Sequence, residues 1–239
     1  MVQAAAEMEA HVATFGRLMA GEEITPTGEV RVTTSDSLLL NLVMPLLAEV
    51  RTSLPGIRLD IVVGNESLNL SKRDADIAIR ATDKPPETLV GRRIAGVAWA
   101  LYGRADTFLP GTVLTAEDSA AHDFVSPGDN FATLAAARRV RETVPPERVA
   151  CRLNTIMGLA EAIEVGLGIG YLPPFIGDTH ATLVRLCKPD PALSDDLWLL
   201  THADLRRVPR VRAVLDLLGK LLAARRPLIE GERSLLTLS

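Results

Sequence analysis

Cysteine is scarce in this sequence: Cys151 and Cys187 are the only two among 239 residues. Two cysteines so placed make neither a disulfide framework nor a metal-ligand spacing, and their sparing use fits a reducing compartment. An excess of positive charge is missing as well. The chain has 26 Lys and Arg against 30 Asp and Glu, a formal net charge of -4. As a whole it therefore lacks the basic footprint of a nucleic-acid-binding domain, although a local patch stays open. No apolar run approaches the roughly 18 residues of a membrane span. The first ten residues, MVQAAAEMEA, carry two glutamates and no Lys or Arg, unlike the basic start of a signal peptide. These absences lead to the expectation of a soluble, cytoplasmic protein with no membrane partner.

What is present is apolar bulk. Hydrophobic residues make up 47% of the chain, enough for one large domain or two modest lobes. Residues 1–20 are rich in Ala, Glu and Met, and Met8, Val12, Phe15 and Met19 fall three or four apart. That spacing predicts a helix with one apolar stripe. It suits a linker or partner-binding helix, or an ordinary first helix docked on the globule. GEEITPTGE then breaks the pattern.

EVRVTT alternates like a strand, Ser35-Asp36-Ser37 can cap a helix over about 37–53, and Leu54-Pro55-Gly56 ends it. Ile57–Val63 reads as the next strand, which completes a parallel βαβ unit. DADIAIR, a strand within Leu89–Leu101, VACRL, Gly170–Pro173, Thr182–Cys187 and LWLLTH read as further strands. Phe131–Glu142, TIMGLAEAIEVG and VPRVRAVLDLLGKLLAARR read as helices.

Chemistry is mostly excluded. VGLGIG at 165–170 offers spaced glycines, but in the order helix, glycines, strand. A dinucleotide loop needs strand, glycines, helix. Phosphate seeks a helix N-terminus, and these glycines follow a C-terminus. They are read as backbone devices, with Gly166 in a left-handed helix stop. The four histidines are scattered, no HExxH or Cys/His cluster exists, and no GxSxG elbow is present. Asp74 and Asp76 share a strand face for simpler reasons, and Lys84 sits in a Pro-rich loop. No catalytic residue, metal site or cofactor is expected. Two strand-to-helix turns, Thr33–Ser37 and Asn154-Thr155, instead offer hydroxyls and free N–H groups to an anion, or simply cap their helices.

Taken in order, several stretches resemble the C-terminal effector-binding domain of LysR-type transcriptional regulators. They are GEVRVTTSDSLLLNLVMPLLAEVRTSLPGIRLDIVVGN, SKRDADIAIR, LVGRRIAGVAWALYG, NTIMGLAEAIEVGLGIGYLPPFIGD and RRVPRVRAVLDLLGKLL, spread over about residues 28–225. The resemblance implies an α/β, two-lobed periplasmic-binding-protein-like (type 2) fold with two crossover strands. Residues 1–27 would be a partial linker helix and connector. Lobe I would be 28–98 plus 201–239, and lobe II 99–200. The family's winged helix-turn-helix has no counterpart here, so DNA contact would run only through a domain absent from this chain.

The same resemblance implies a small, acidic organic effector in the interlobe cleft and a homodimer or homotetramer. Dimers would pair side by side and antiparallel, the helix at about 37–53 against the partner's closing helix at about 208–222. Thr34, Ser35 and Asp36 would face the cleft. Arg80 would grip a carboxylate bidentately, with Thr82 beside it. Asn154 and Thr155 would present donors from the second lobe, and Phe131 would form part of the wall. Trp99 would serve as core or hinge packing. The rival readings are a solute-binding protein, an enzyme on the same fold, and a pure dimerisation module with a collapsed cleft.

Overall fold

The computed structural model describes residues 26–64 and 75–232. The helix expected over 1–20 lies outside the described residues, as do Ser71–Asp74 of the SKRDADIAIR stretch. The first sheet grows from alternating β-branched residues. β1 (Gly28–Thr34) runs parallel to β2 (Ile57–Val63) in continuous register from Gly28↔Ile57 to Thr34↔Val63.

The helical segment α1 between them comes in four pieces: an α-turn Asp36–Leu38, a π-turn Leu39–Val43, a 3-10 turn Met44–Leu46 and an α-helix Leu47–Ser53. The spacing predicts one regular helix here; Pro45 explains the difference. Proline has no N–H to give and its ring crowds the carbonyl four residues back. The ladder adapts just before it, where Met44 N–H donates to Leu39 O, five residues back.

β3 (Ile77–Ala81) adds to the other side of β1, again parallel. β4 (Leu89–Val97) follows, and the chain then leaves this sheet at Ala98 and Trp99 to begin β5 (Ala100–Arg104) in a second one. The single strand read within Leu89–Leu101 is thus two strands in two sheets. α2 (Ala116–Ala120), β6 (Phe124–Pro127), α3 (Ala135–Thr143), β7 (Val149–Leu153), α4 (Ile156–Glu164), β8 (Gly170–Leu172), α5 (Pro174–Gly177) and β9 (Leu183–Arg185) complete the second lobe. The helix expected from Phe131 starts later, because Leu134 is extended and Asp129–Phe131 form a separate 3-10 turn.

β8-β5-β9 pair antiparallel, and a bridge from Phe124 to Ile169 joins the parallel pair β6-β7 to the start of β8. β10 (Asp195–His202) then returns to the first sheet and inserts antiparallel between β3 and β4, giving the order β2-β1-β3-β10-β4. The ladder opens at Asp195↔Val97, so the first sheet regains the chain at Asp195 rather than at residue 201. α6 (Pro209–Ala224) packs Val211, Val214, Leu218 and Leu222 inward, and α7 (Arg226–Ile229) closes the described chain. Among the described residues no helix is long and apolar enough to cross a membrane.

The glycines after α4 are scaffold, as their order along the chain suggests. Gly166 N–H donates to Ile163 O and Leu167 N–H to Ala162 O, each 3.0 Å, with Gly166 at φ +88°. This is a Schellman stop, which satisfies the orphan carbonyls of the last helical turn. A side chain on Gly168 would place Cβ 2.3 Å from the Asp123 carbonyl oxygen.

Candidate functional site

A cavity of about 220 Å³ is lined by residues of both lobes. The first lobe supplies the turn after β1 (Ser35–Leu38), the end of β3 with its following loop (Arg80, Thr82, Lys84), and Val97 and Asp195 at the crossovers. The second lobe supplies Asn130, Phe131, Leu134, Ile156 and Phe175. The walls are largely apolar, with a few charged groups set into them, the usual make-up of a small-molecule site.

Arg80 stands in the floor of this cavity. Its Nη1 donates to Gly64 O at 2.6 Å and its Nη2 to Thr33 Oγ1 at 2.9 Å. These bonds turn the guanidinium toward β1 and β2 and hold it there. Burial pulls its pKa down, and no carboxylate pairs with it among the described residues. A guanidinium has five donors, so two bonds leave capacity for a ligand.

Ser35 is the N-cap of α1, its Oγ accepting from Leu38 N–H at 3.4 Å. Asp36 faces the second lobe. Its Oδ1 accepts from Ser37 N–H at 2.6 Å, and its Oδ2 accepts from Thr155 Oγ1, also at 2.6 Å. Thr155 precedes α4 but makes no side-chain cap for it; its hydroxyl spans the cleft instead. A second contact in the same place runs from Asn41 Nδ2 to Met157 Sδ at 3.4 Å.

At the crossovers, Trp99 and Asp195 lie side by side. Trp99 is only 4% exposed. Burial pushes the Asp195 carboxyl up to about 6; Asp83 and Asp196 add to the rise, and the Trp99 indole and Arg138 oppose it. The indole is close enough to be felt yet closes no hydrogen bond, since Trp99 Nε1 and Asp195 Oδ2 are both buried without a partner.

Ser35, Asp36, Arg80, Thr82 and Phe131 therefore all line the cavity, and so does Trp99. Thr34 does not: it is fully buried. Its neighbour Thr33 makes the contact to Arg80. Asn154 is exposed, and it is its backbone oxygen that accepts from Asn130 Nδ2, at 3.2 Å. Thr155 acts at the rim through Asp36. Lys84, Phe175, Ile156 and Asp195 were not legible as site residues. Asp195 precedes the LWLLTH strand, and nothing local signals that the strand pairing brings it opposite Val97.

One other polar cluster lies at the far end of α4. Ligand-capable atoms of Glu161, Glu164 and His180 come within 4.8 Å of one another. Glu164 is already engaged there by His180 Nδ1 at 3.0 Å and by the Thr182 hydroxyl, which accounts for the cluster without an ion.

Comparison with known proteins agrees with this architecture. Residues 24–223 match the family model described as the LysR substrate binding domain. The chain is 31% identical over 190 residues to the HTH-type transcriptional regulator CrgA of Neisseria meningitidis serogroup C, covering 77% of this chain and 61% of that one. It is 29% identical over 160 residues to the probable HTH-type transcriptional regulator LtrA of Klebsiella pneumoniae, covering 62% and 51%. The chain thus spans about half to three fifths of these curated relatives. Among solved structures, CrgA from Neisseria meningitidis shares the fold with a TM-score of 0.71 at 22% identity, over 92% of this chain and 77% of that one. The effector domain of AmpR from Pseudomonas aeruginosa does so with a TM-score of 0.68 at 13% identity, over 84% and 97%. The curated relatives named here are described as transcriptional regulators. By its sequence match over residues 24–223, the chain belongs to the LysR substrate-binding domain family.

Proposed function

We propose that the chain senses a small acidic organic molecule in its interlobe cleft, with the ligand carboxylate on Arg80, for a DNA-binding transcriptional regulator. The observation that carries this reading is the half-buried guanidinium in the cavity floor, fixed by Gly64 and Thr33 and without a carboxylate partner among the described residues. A buried cation is costly until an anion joins it. Asp36 does not oppose such a ligand as an isolated charge would, because it is bonded to Thr155.

Output follows from differential binding. A ligand that contacts both lobes favours the closed arrangement, and the equilibrium shifts by the difference in affinity for the two states. DNA contact would belong to a helix-turn-helix region of the whole regulator. A second copy would pack on α1, where Leu40 and Met44 are 51% and 46% exposed; apolar side chains grouped this way mark interaction surfaces.

The test is calorimetric titration of benzoate, 3-phenylpropanoate and 4-methylpentanoate into the chain and its Arg80→Gln variant, with thermal unfolding as the folding control. Binding of at least one acid, weakened about tenfold or more by the substitution, is expected. Equal affinity in a folded variant would overturn the carboxylate role.

A further inference from the structure

The cleft has a second polar end, and it is of opposite sign to the first. Arg80 reaches from β3 toward Thr33 of β1 and Gly64 beyond β2. Asp195 lies on the other flank of β3, on β10, where Thr82 N–H donates to Asp196 O at 2.9 Å. One floor therefore carries a guanidinium on one side and a carboxyl on the other. Leu38, Phe131 and Ile156 line the same cavity.

No described cation pairs with Asp195. Its neighbour Asp196 has Arg93 at 2.6 Å. Arg138 comes near, but its Nη1 is bound to Thr133 O at 3.1 Å. Asp83, from the loop after β3, adds negative charge at the same spot. Trp99 is almost wholly buried in the cavity wall beside it, with its indole nitrogen unpartnered. A carboxyl held among carboxylates and against an indole suits an incoming cation, by charge and by cation–π attraction.

We propose that the cleft ligand is a zwitterion of amino-acid type, its carboxylate on Arg80 and its ammonium group on Asp195 beside Trp99, so that Asp195 selects for the amine. This rests on the Arg80 reading above and adds the other half of the ligand. Size agrees: about 220 Å³ is below the roughly 300–1,000 Å³ of typical drug-sized pockets, which suits a compact ligand with a short apolar side chain. The half-buried Asp195, its Oδ2 shielded from water and without a hydrogen-bond partner, gives the recognition its force, since such a carboxyl gains from a partner.

Matched pairs test the proposal. L-leucine, L-phenylalanine and L-methionine are titrated against their desamino counterparts 4-methylpentanoate, 3-phenylpropanoate and 4-(methylthio)butanoate at pH 7.5. The proteins are the unmodified chain, Asp195→Asn and Arg80→Gln. At least one amino acid should bind about tenfold or more tightly than its desamino partner. Asp195→Asn should reduce that preference to about threefold or less, on the same scale, with amino-acid affinity falling relative to its desamino partner. Arg80→Gln should weaken both members of each pair. If desamino acids bind as well as or better than amino acids, or if Asp195→Asn leaves the preference intact, the amine site is wrong while the Arg80 reading stands. If neither series binds, both readings fall.

Discussion

Thr155→Val probes the contact that joins the two lobes. The substitution keeps the shape of the side chain and removes the hydroxyl that donates to Asp36 Oδ2 at 2.6 Å. A hydrogen bond to an ionised acceptor contributes about 1.5–3 kcal/mol. Both residues are half-buried, so water recovers part of this when the lobes separate, leaving about 1–1.5 kcal/mol specific to the closed arrangement. That corresponds to about a tenfold fall in the ratio of closed to open molecules. Of the direct contacts named above, only the weak one from Asn41 to Met157 remains. Hydrogen exchange reads the outcome through the amides of Ser37–Asn41 and Ile156–Leu159, which should exchange about tenfold faster if they open with the lobes. Small-angle scattering should show a larger radius of gyration. A double-mutant cycle with Asp36→Asn isolates the pair. Unchanged protection in Thr155→Val, together with a coupling within about 0.3–0.5 kcal/mol of zero, refutes the idea that this bond holds the cleft shut.

Three other perturbations have definite outcomes. Asp195 has a folded pKa of about 6 against an ordinary 3.8. The native state thus binds more protons between those values, and stability falls as pH rises through 6. Asp195→Asn should raise stability at pH 7.5 by about 1–2 kcal/mol after allowing for partial solvent screening, most of it gone by pH 4.5, as urea titrations at the two pH values would show. Asp178 accepts from Tyr102 Oη at 2.7 Å and is paired with Arg185, which also donates to Gly231 O at 3.1 Å. Asp178→Ala strands that arginine and should cost about 2–4 kcal/mol in chemical denaturation. Gly168→Ala drives Cβ into the Asp123 carbonyl, 2.3 Å away at φ +155°; a loss of about 2–3 kcal/mol is expected, and a melting temperature within error of the parent contradicts it.

Elements fixed by neighbours in the chain were legible. Ile57–Val63 is a strand in reading and in structure, Ser35 caps α1, and Gly166 stops α4. Each depends on side-chain alternation, a hydroxyl or a missing Cβ, all visible within a few residues. The change of winding along α1 at Pro45 was concealed by the regular apolar period.

The cleft was legible only in part. The turns at Thr33–Ser37 and Asn154-Thr155 were legible as hydroxyls before a helix, and the family resemblance is why Ser35, Asp36, Arg80 and Thr82 could be named. What those residues do there was decided by the tertiary structure. Asp36 meets Thr155 across 119 positions of chain, and Arg80 is set by Thr33, 47 positions away. Asp195 enters the site because β10 inserts between β3 and β4. By itself the sequence determined most of the strands, the helix ends at Ser35 and Gly166 and the family resemblance, since short-range sterics and hydrophobic period specify them. Which charges face each other was left to the fold, because electrostatic partners depend on distance in space, and sheet topology alone brings them together.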